Sequence, residues 1–181
     1  MQMDASARAQ AIVRATRALP DAVLRVAYVL DFLRTSPLAY AAQTLEIVCA
    51  RAEQAEEAAR EALIAIVDAL NAEGQAPLVQ RLREEDVVRL AAKRPCRPDV
   101  LSEIARTPRW AHSPRVRMAL VLNPDTPIEL ATGIVGLLMR QELRLVAETT
   151  LVSPGLRAIC LEHLERRPPG AHGEDAEGPL H

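Results

Sequence analysis

Prolines at positions 98, 108, 114, 124, 127 and 154 divide the second half of this chain so often that, up to Pro127, no helix between them can exceed about four turns. Proline has no backbone N–H and disfavours helical geometry in the residue before it, so each one ends a helix or opens the next. Rods that brief are stable only by leaning on their neighbours. Thirteen prolines against seven glycines suit many short helices started by proline better than a β protein that needs glycine turns. Apolar residues make up 49% of the 181-residue chain but aromatics only 2%, which implies an aliphatic, alanine-rich core of close-packed helices.

The stretch from Val116 to Leu130 shows the pattern most clearly. Val116, Ala119 and Leu120 hold the spacing of an apolar helical face, and Pro124 ends that helix. Asn123 is then expected to take a left-handed end-cap conformation. Thr126, Pro127 and Glu129 read as a capping box with proline in the first helical position, so a new helix should begin at once.

Earlier in the chain, one helix is predicted from Asp4 to Leu19, interrupted by Pro20. A second should run from about Asp21 to Arg34, apolar almost all round and therefore buried. Thr35, Ser36 and Pro37 form a cap-plus-proline start for a third. With no evident breaker before Asn71 to Gly74, that helix could span most of Leu38 to Leu70. Leu38, Ala41, Leu45, Val48, Ala52, Ala55, Ala59, Ala62, Ile66 and Ala69 fall on alternating three- and four-residue steps, a heptad-like seam that is expected to pack against the first two helices, or else against a partner helix or a second copy. After Gly74 the expected helices are short: one holding Leu78, Val79 and Leu82, one from Glu84 to Ala92 with acids at its start and Lys93 and Arg94 at its end, and a last one from Ser153–Pro154 to near Leu164. The remainder, RRPPGAHGEDAEGPLH, has no apolar period and is expected to be disordered.

Sliding the chain by 56 residues lays Leu82 to Ile104 over Leu138 to Cys160, pairing Leu82 with Leu138, Asp86 with Glu142, Val87 with Leu143, Leu90 with Val146, Pro98 with Pro154 and Val100 with Leu156. Repetition of a helix, corner, helix unit marks a solenoid. Val116 to Leu130 resembles the leucine-rich repeat variant, a bacterial repeat in the style of HEAT repeats with a VRxxLAxNPxTPxxxL-like signature. Val116, Arg117, Ala119, Asn123, Pro124, Thr126, Pro127 and Leu130 match it, and Leu101, Ile104, Ala105, Thr107 and Pro108 resemble the end of a preceding unit. The likeness is specific over about one repeat, loose over Leu82 to Leu164, and covers nothing before Gly74. It implies stacked short helices and a binding scaffold more than an enzyme. The cysteine cluster of an iron–sulfur centre that accompanies some relatives is absent, so no cofactor is carried over.

The formal charge of −2 gives no global drive toward nucleic acid or an anionic membrane. No apolar run approaches the roughly 20 residues of a membrane span, and the start lacks the build of a signal peptide, so the expected place is the cytoplasm. A single lysine among many arginines suggests a GC-rich bacterium. Cys49, Cys96 and Cys160 are isolated and odd in number, and read as buried free thiols.

Between positions 93 and 117, Lys93, Arg94, Arg97, Arg106, Arg109, Arg115 and Arg117 stand against only Asp99 and Glu103, with Trp110 and His112 among them. Such a strip could bind an acidic protein, could contact phosphates with Trp110 stacking on a base, or could simply cap helix ends and pair with acidic neighbours. Cys160 and His163 share a helical face, but two ligands do not make a metal site. Ser113 follows His112, yet its position before Pro114 suits an N-cap more than a nucleophile. No phosphate loop, nucleophile elbow or metalloprotease motif occurs.

The sequence therefore predicts an all-α protein. A three-helix section over 1–74 should cap a short right-handed helical-repeat solenoid over 75–165, with a loose tail over 166–181. The expected function is non-catalytic binding of a protein partner by a bacterial cytoplasmic scaffold, through Arg106, Arg109, Trp110, Arg115 and Arg117, with no cofactor or metal. Nucleic-acid binding by 93–117 and homodimerisation through 38–70 are the alternatives.

Overall fold

The computed structural model describes residues 4–19, 21–35, 38–70 and 72–167. Pro20, the Ser36–Pro37 start and the tail from Pro168 lie outside these. Among the described residues there are helices and turns and no strand, and no helix is long and apolar enough to cross a membrane.

The first half is built from α1 (Ala5–Ala18), α2 (Ala22–Arg34), α3 (Leu38–Glu53) and α4 (Glu57–Ala69). The Asp4 carboxylate caps α1 by accepting from the Ala7 N–H at 2.6 Å. α1 packs on α3 and α4, and α2 packs on α4. α2 is not the buried helix expected. Leu24, Ala27 and Tyr28 face solvent while Val29 is buried, because α2 lies against α4 and α1 along one stripe and turns these side chains away from them.

The single helix expected over Leu38 to Leu70 is two helices folded against each other. The break contains neither glycine nor proline. Ala55 takes φ 65, the Glu56 N–H reaches the Arg51 carbonyl at 3.2 Å, and the Ala55 N–H reaches Ala52 at 3.0 Å. This is a Schellman end formed on alanine, which satisfies carbonyls the helix would otherwise leave open. The Arg51–Glu56 ion pair straps the same corner at 2.5 Å. Val48, Ala52, Ala59, Ala62 and Ile66 are buried within the chain, so the unbroken rod needed for a homodimer through 38–70 does not form.

From α4 onward the helices come in pairs. α4 is followed by α5 (Ala72–Val79), α6 (Glu84–Ala92) by α7 (Pro98–Arg106) and the short α8 (Pro108–Ala111), α9 (Pro114–Leu122) by α10 (Ile128–Val135), and α11 (Arg140–Glu148) by α12 (Pro154–Arg166). Glu57, Glu84, Pro114 and Arg140 open the first helix of each pair, a spacing of 26 to 30 residues. α6 packs on α9, α5 on α7, and α10 on α12. The segments related by 56 residues share conformation and burial: α6 with α11, α7 with the start of α12, and Val87, Leu90 and Val100 buried as Leu143, Val146 and Leu156 are. One apolar core runs without interruption from Ala9 to Cys160.

Several boundaries differ from expectation. Gly74 and Pro77 lie inside α5, so the section boundary placed at Gly74 falls within a helix, and Leu82 lies in the turn after it. Gln75 holds α5 to α4 by donating to the Leu70 carbonyl at 2.8 Å. Arg166 is helical. Arg167 donates to the Leu138 and Gly136 carbonyls, so the tail begins later than position 166.

Candidate functional site

Three corners join the helices of the last three pairs, and each is five residues long: 93–97, 123–127 and 149–153. Lys93, Asn123 and Thr149 each end the first helix of a pair in extended geometry, and Cys96, Thr126 and Val152 are each buried at the fourth position. The corners therefore share their length, their helix-end geometry and a buried fourth position, while Arg94–Pro95 in the first is a cis bond.

The first two corners bind back to the helix end of the pair before them. From the first corner, Arg97 donates to the carbonyls of Asp68 at 2.8 Å and Leu70 at 3.2 Å, and the Lys93 ammonium pairs with the Asp68 carboxylate. From the second, the Asn123 carboxamide donates to Ala91 at 2.7 Å and Lys93 at 2.9 Å, and the Asp125 carboxylate accepts from the Cys96 N–H at 2.9 Å. Arg94 closes the same joint from the other side by donating to Leu122 at 2.8 Å. Asn123 is buried with φ −87 and ψ 118, so it is not the left-handed cap expected. Its side chain serves a helix of the preceding pair, and its Oδ1 accepts from the Asp125 N–H at 2.9 Å.

The capping box expected at Thr126 does not form either. α10 begins at Ile128, and the buried Thr126 hydroxyl donates to the Leu120 carbonyl at 2.6 Å. Ser113 does cap α9, accepting from the Val116 N–H at 3.2 Å while bonding the Glu84 carboxylate.

Of the expected contact residues, Trp110 is buried, at 4% exposure. Its indole N–H donates to the Val79 carbonyl at 2.8 Å, so the ring anchors α8 to α5 and offers no face to a partner. The Arg109 guanidinium lies 4.4 Å from the centre of that ring and donates to the Gln80 carbonyl at 2.8 Å. Arg117 is half-buried and donates to Ala111 at 2.7 Å. Arg115 is exposed and lies 3.9 Å from Glu84, and Arg106 is exposed at the end of α7. The basic strip is thus mostly helix-end capping, and of the expected contact residues Arg106, Arg109 and Arg115 stay at the surface.

The third corner differs from the second. Thr149 and Leu151 stand where Asn123 and Asp125 do, and the Thr149 hydroxyl accepts from the Leu151 N–H at 3.3 Å. An open groove of about 480 Å³ lies there, between the 123–127 and 149–153 corners. Val121, Thr126, Val152 and Leu156 form its floor and walls, and Ile128 and Leu151 stand at its rim, each about half exposed.

A second cluster joins α4 to α6. The Arg60 guanidinium meets the buried Asp86 carboxylate through both its oxygens at 2.7 to 3.2 Å and also reaches Glu57 at 3.0 Å. Asp86 is the acid paired with Glu142 by the 56-residue relation, but Glu142 instead caps α11 by accepting from the Met139 N–H at 2.7 Å. The hydrogen bond to Asp86, foremost, holds Arg60 more firmly protonated than usual.

The three thiols are free and buried. Burial, with the Asp68 charge adding to it, pushes the Cys96 thiol up to about 11, and burial raises Cys49 and Cys160 as well. Among the described residues no three His, Cys, Asp or Glu side chains lie close enough to hold a metal ion.

Comparison with protein-family models, with curated proteins and with solved structures finds no match to this chain.

Proposed function

We propose that the chain is a non-catalytic protein-binding scaffold of a bacterial cytoplasm, built as a short right-handed solenoid in the style of the leucine-rich repeat variant and HEAT repeats and capped by its N-terminal helices. The even spacing of the helix pairs, the uniform five-residue corners and the uninterrupted core support the repeat build. The observation that carries the binding role is the groove at the last corner, where Ile128 and Leu151 keep about half their surface in water beside an apolar floor. Concave apolar sites between stacked units are where such scaffolds take partners. The exposed Arg106, Arg109 and Arg115 favour an acidic partner, and Trp110 and Arg117 hold that segment in place beneath them. Lys93, Arg94, Arg97, Arg109 and Arg117 all have partners within the chain, which weighs against a phosphate-binding strip.

The test is an affinity capture from the source cell with wild type, Ile128→Lys and Arg106→Glu/Arg115→Glu as parallel baits. Proteins retained by wild type and lost with Ile128→Lys support the groove as the contact. Nothing specific retained by wild type, or retention that survives both variants, overturns the reading.

A further inference from the structure

We infer that the chain's own acidic segment, 174–177, docks on the basic edge that carries Arg106, Arg109 and Arg115, so that an acidic partner reaches this edge only by displacing it. This rests on the reading of that edge as one suited to an acidic partner, and names what occupies it first. Glu174, Asp175 and Glu177 set three acids within four positions, and no lysine or arginine lies among residues 168–181.

Each pair runs out to its corner and back, so the segments that join one pair to the next, 80–83, 107–113 and 136–139, share the edge opposite the corners. Side chains tie these segments together. Arg109 joins the middle segment to the first through the Gln80 carbonyl at 2.8 Å, and Arg117 joins it to the last by donating to Ala111 at 2.7 Å and Leu137 at 3.5 Å. Arg167 donates to the Gly136 and Leu138 carbonyls at 2.6 and 2.8 Å, which fixes the end of α12 at the same edge. The acids therefore start from beside the arginines. Packed helices stand about 8–10 Å apart, which places Arg109 and Arg115 within roughly 20 Å of Arg167. Glu174 is seven positions beyond Arg167, an extended reach of about 23 Å. At the edge, Arg106 and Arg115 are exposed, and Glu84, the acid 3.9 Å from Arg115, is already bonded to the Ser113 hydroxyl. Arg109 is exposed too and keeps further guanidinium donors beyond the one given to Gln80. Exposed ion pairs are individually weak, but a tether this short holds the acids at an effective concentration on the order of millimolar, which weak contacts can use.

Trp110, the chain's only tryptophan, lies beside Arg109 and serves as energy donor in a measurement on the whole protein. A dansyl acceptor is attached at Gly178→Cys, just past the acids. The three native thiols are buried, and the protein without Gly178→Cys is the labelling control. Transfer from Trp110 to dansyl should be high in dilute buffer and fall roughly twofold or more in about 0.5 M salt, in Arg106→Glu/Arg115→Glu and in Glu174→Gln/Asp175→Asn/Glu177→Gln. The last of these alters no described residue, so its loss is not a loss of fold. Turning the three acids to lysine in the Arg106→Glu/Arg115→Glu chain should restore transfer. Transfer that is equal in all these proteins overturns the inference, and so does a charge swap that restores nothing. Transfer that falls with the acid variant but survives Arg106→Glu/Arg115→Glu puts the acids on other arginines and overturns it as well. Each of these results leaves the scaffold reading standing, because that is judged by what the Ile128→Lys bait loses.

Discussion

The carboxamide of Asn123 donates to the carbonyl of Ala91 at 2.7 Å, across 32 residues of sequence, and so joins α9 to the end of α6 in the preceding pair. Replacing it by alanine removes the side-chain donor from the buried Ala91 carbonyl and from the part-buried Lys93 carbonyl, and Asn123→Ala should cost about 2 kcal/mol in urea unfolding. Asn123→Asp carries an added pH signature. A neutral carboxyl can still donate, whereas an ionised one faces two carbonyl oxygens, so the folded state holds its proton more tightly than the unfolded chain. The variant should lose stability as pH rises through the ordinary carboxylate range near 4, relative to wild type. A flat difference between pH 3 and 7 would contradict the contact.

Arg60 and Asp86 form the buried joint between α4 and α6. Arg60→Met leaves a carboxylate of 2% side-chain exposure with only the half-exposed Arg89 guanidinium, 3.9 Å away, beside it, a loss of about 3 kcal/mol. Adding Asp86→Leu should recover most of that loss, because the uncompensated charge is then gone. A double variant no more stable than the single one would mean that the pair does more than neutralise itself.

Ala55 adopts φ 65 at the corner between α3 and α4, a conformation glycine takes without strain. Ala55→Gly should raise stability by about 0.5–1 kcal/mol, seen as a rise of a few degrees in Tm. A drop in Tm would say that the corner is not held in this geometry, since glycine's extra freedom in the unfolded chain would then be the only effect.

The Cys96 thiol, raised to about 11 in the fold, deprotonates later than the same thiol in the unfolded chain, whose ordinary value is 9.0. Its contribution to stability is therefore whole below pH 9 and lost as pH climbs from about 9 toward 11. Urea midpoints measured across that window should fall, and fall less for Cys96→Ala once its lower baseline is subtracted. Equal slopes for the two proteins would place the thiol in water.

Much of this fold was legible where a local rule decides it. Pro98, Pro114 and Pro154 open α7, α9 and α12 as proline should, Ser113 is an N-cap, and the acids of α6 stand in its first turn. The corner at Ala55 was hidden because a Schellman end on alanine has no residue-type signal. Asn123 and Trp110 were misread for a different reason: their partners, Ala91 and Val79, lie about 30 residues back and meet them only through packing of adjacent pairs. The groove had a signal that went unread. A slip of 56 residues lays the corner at 93 on the corner at 149 and passes over the one at 123, whereas a slip of 26 sets Asn-Pro-Asp against Thr-Thr-Leu and exposes the lost latch.

Thr149→Asn/Leu151→Asp tests most directly whether the corners are equivalent and the last one unlatched. In native-state hydrogen exchange with urea midpoints measured alongside, the rebuilt corner should be more stable than wild type by about 1 kcal/mol, with slower exchange confined to residues 121–131 and 149–156. A variant less stable than wild type, with exchange in those residues unchanged or faster, would contradict the reading of the last corner as one that lacks the contacts of the corner before it.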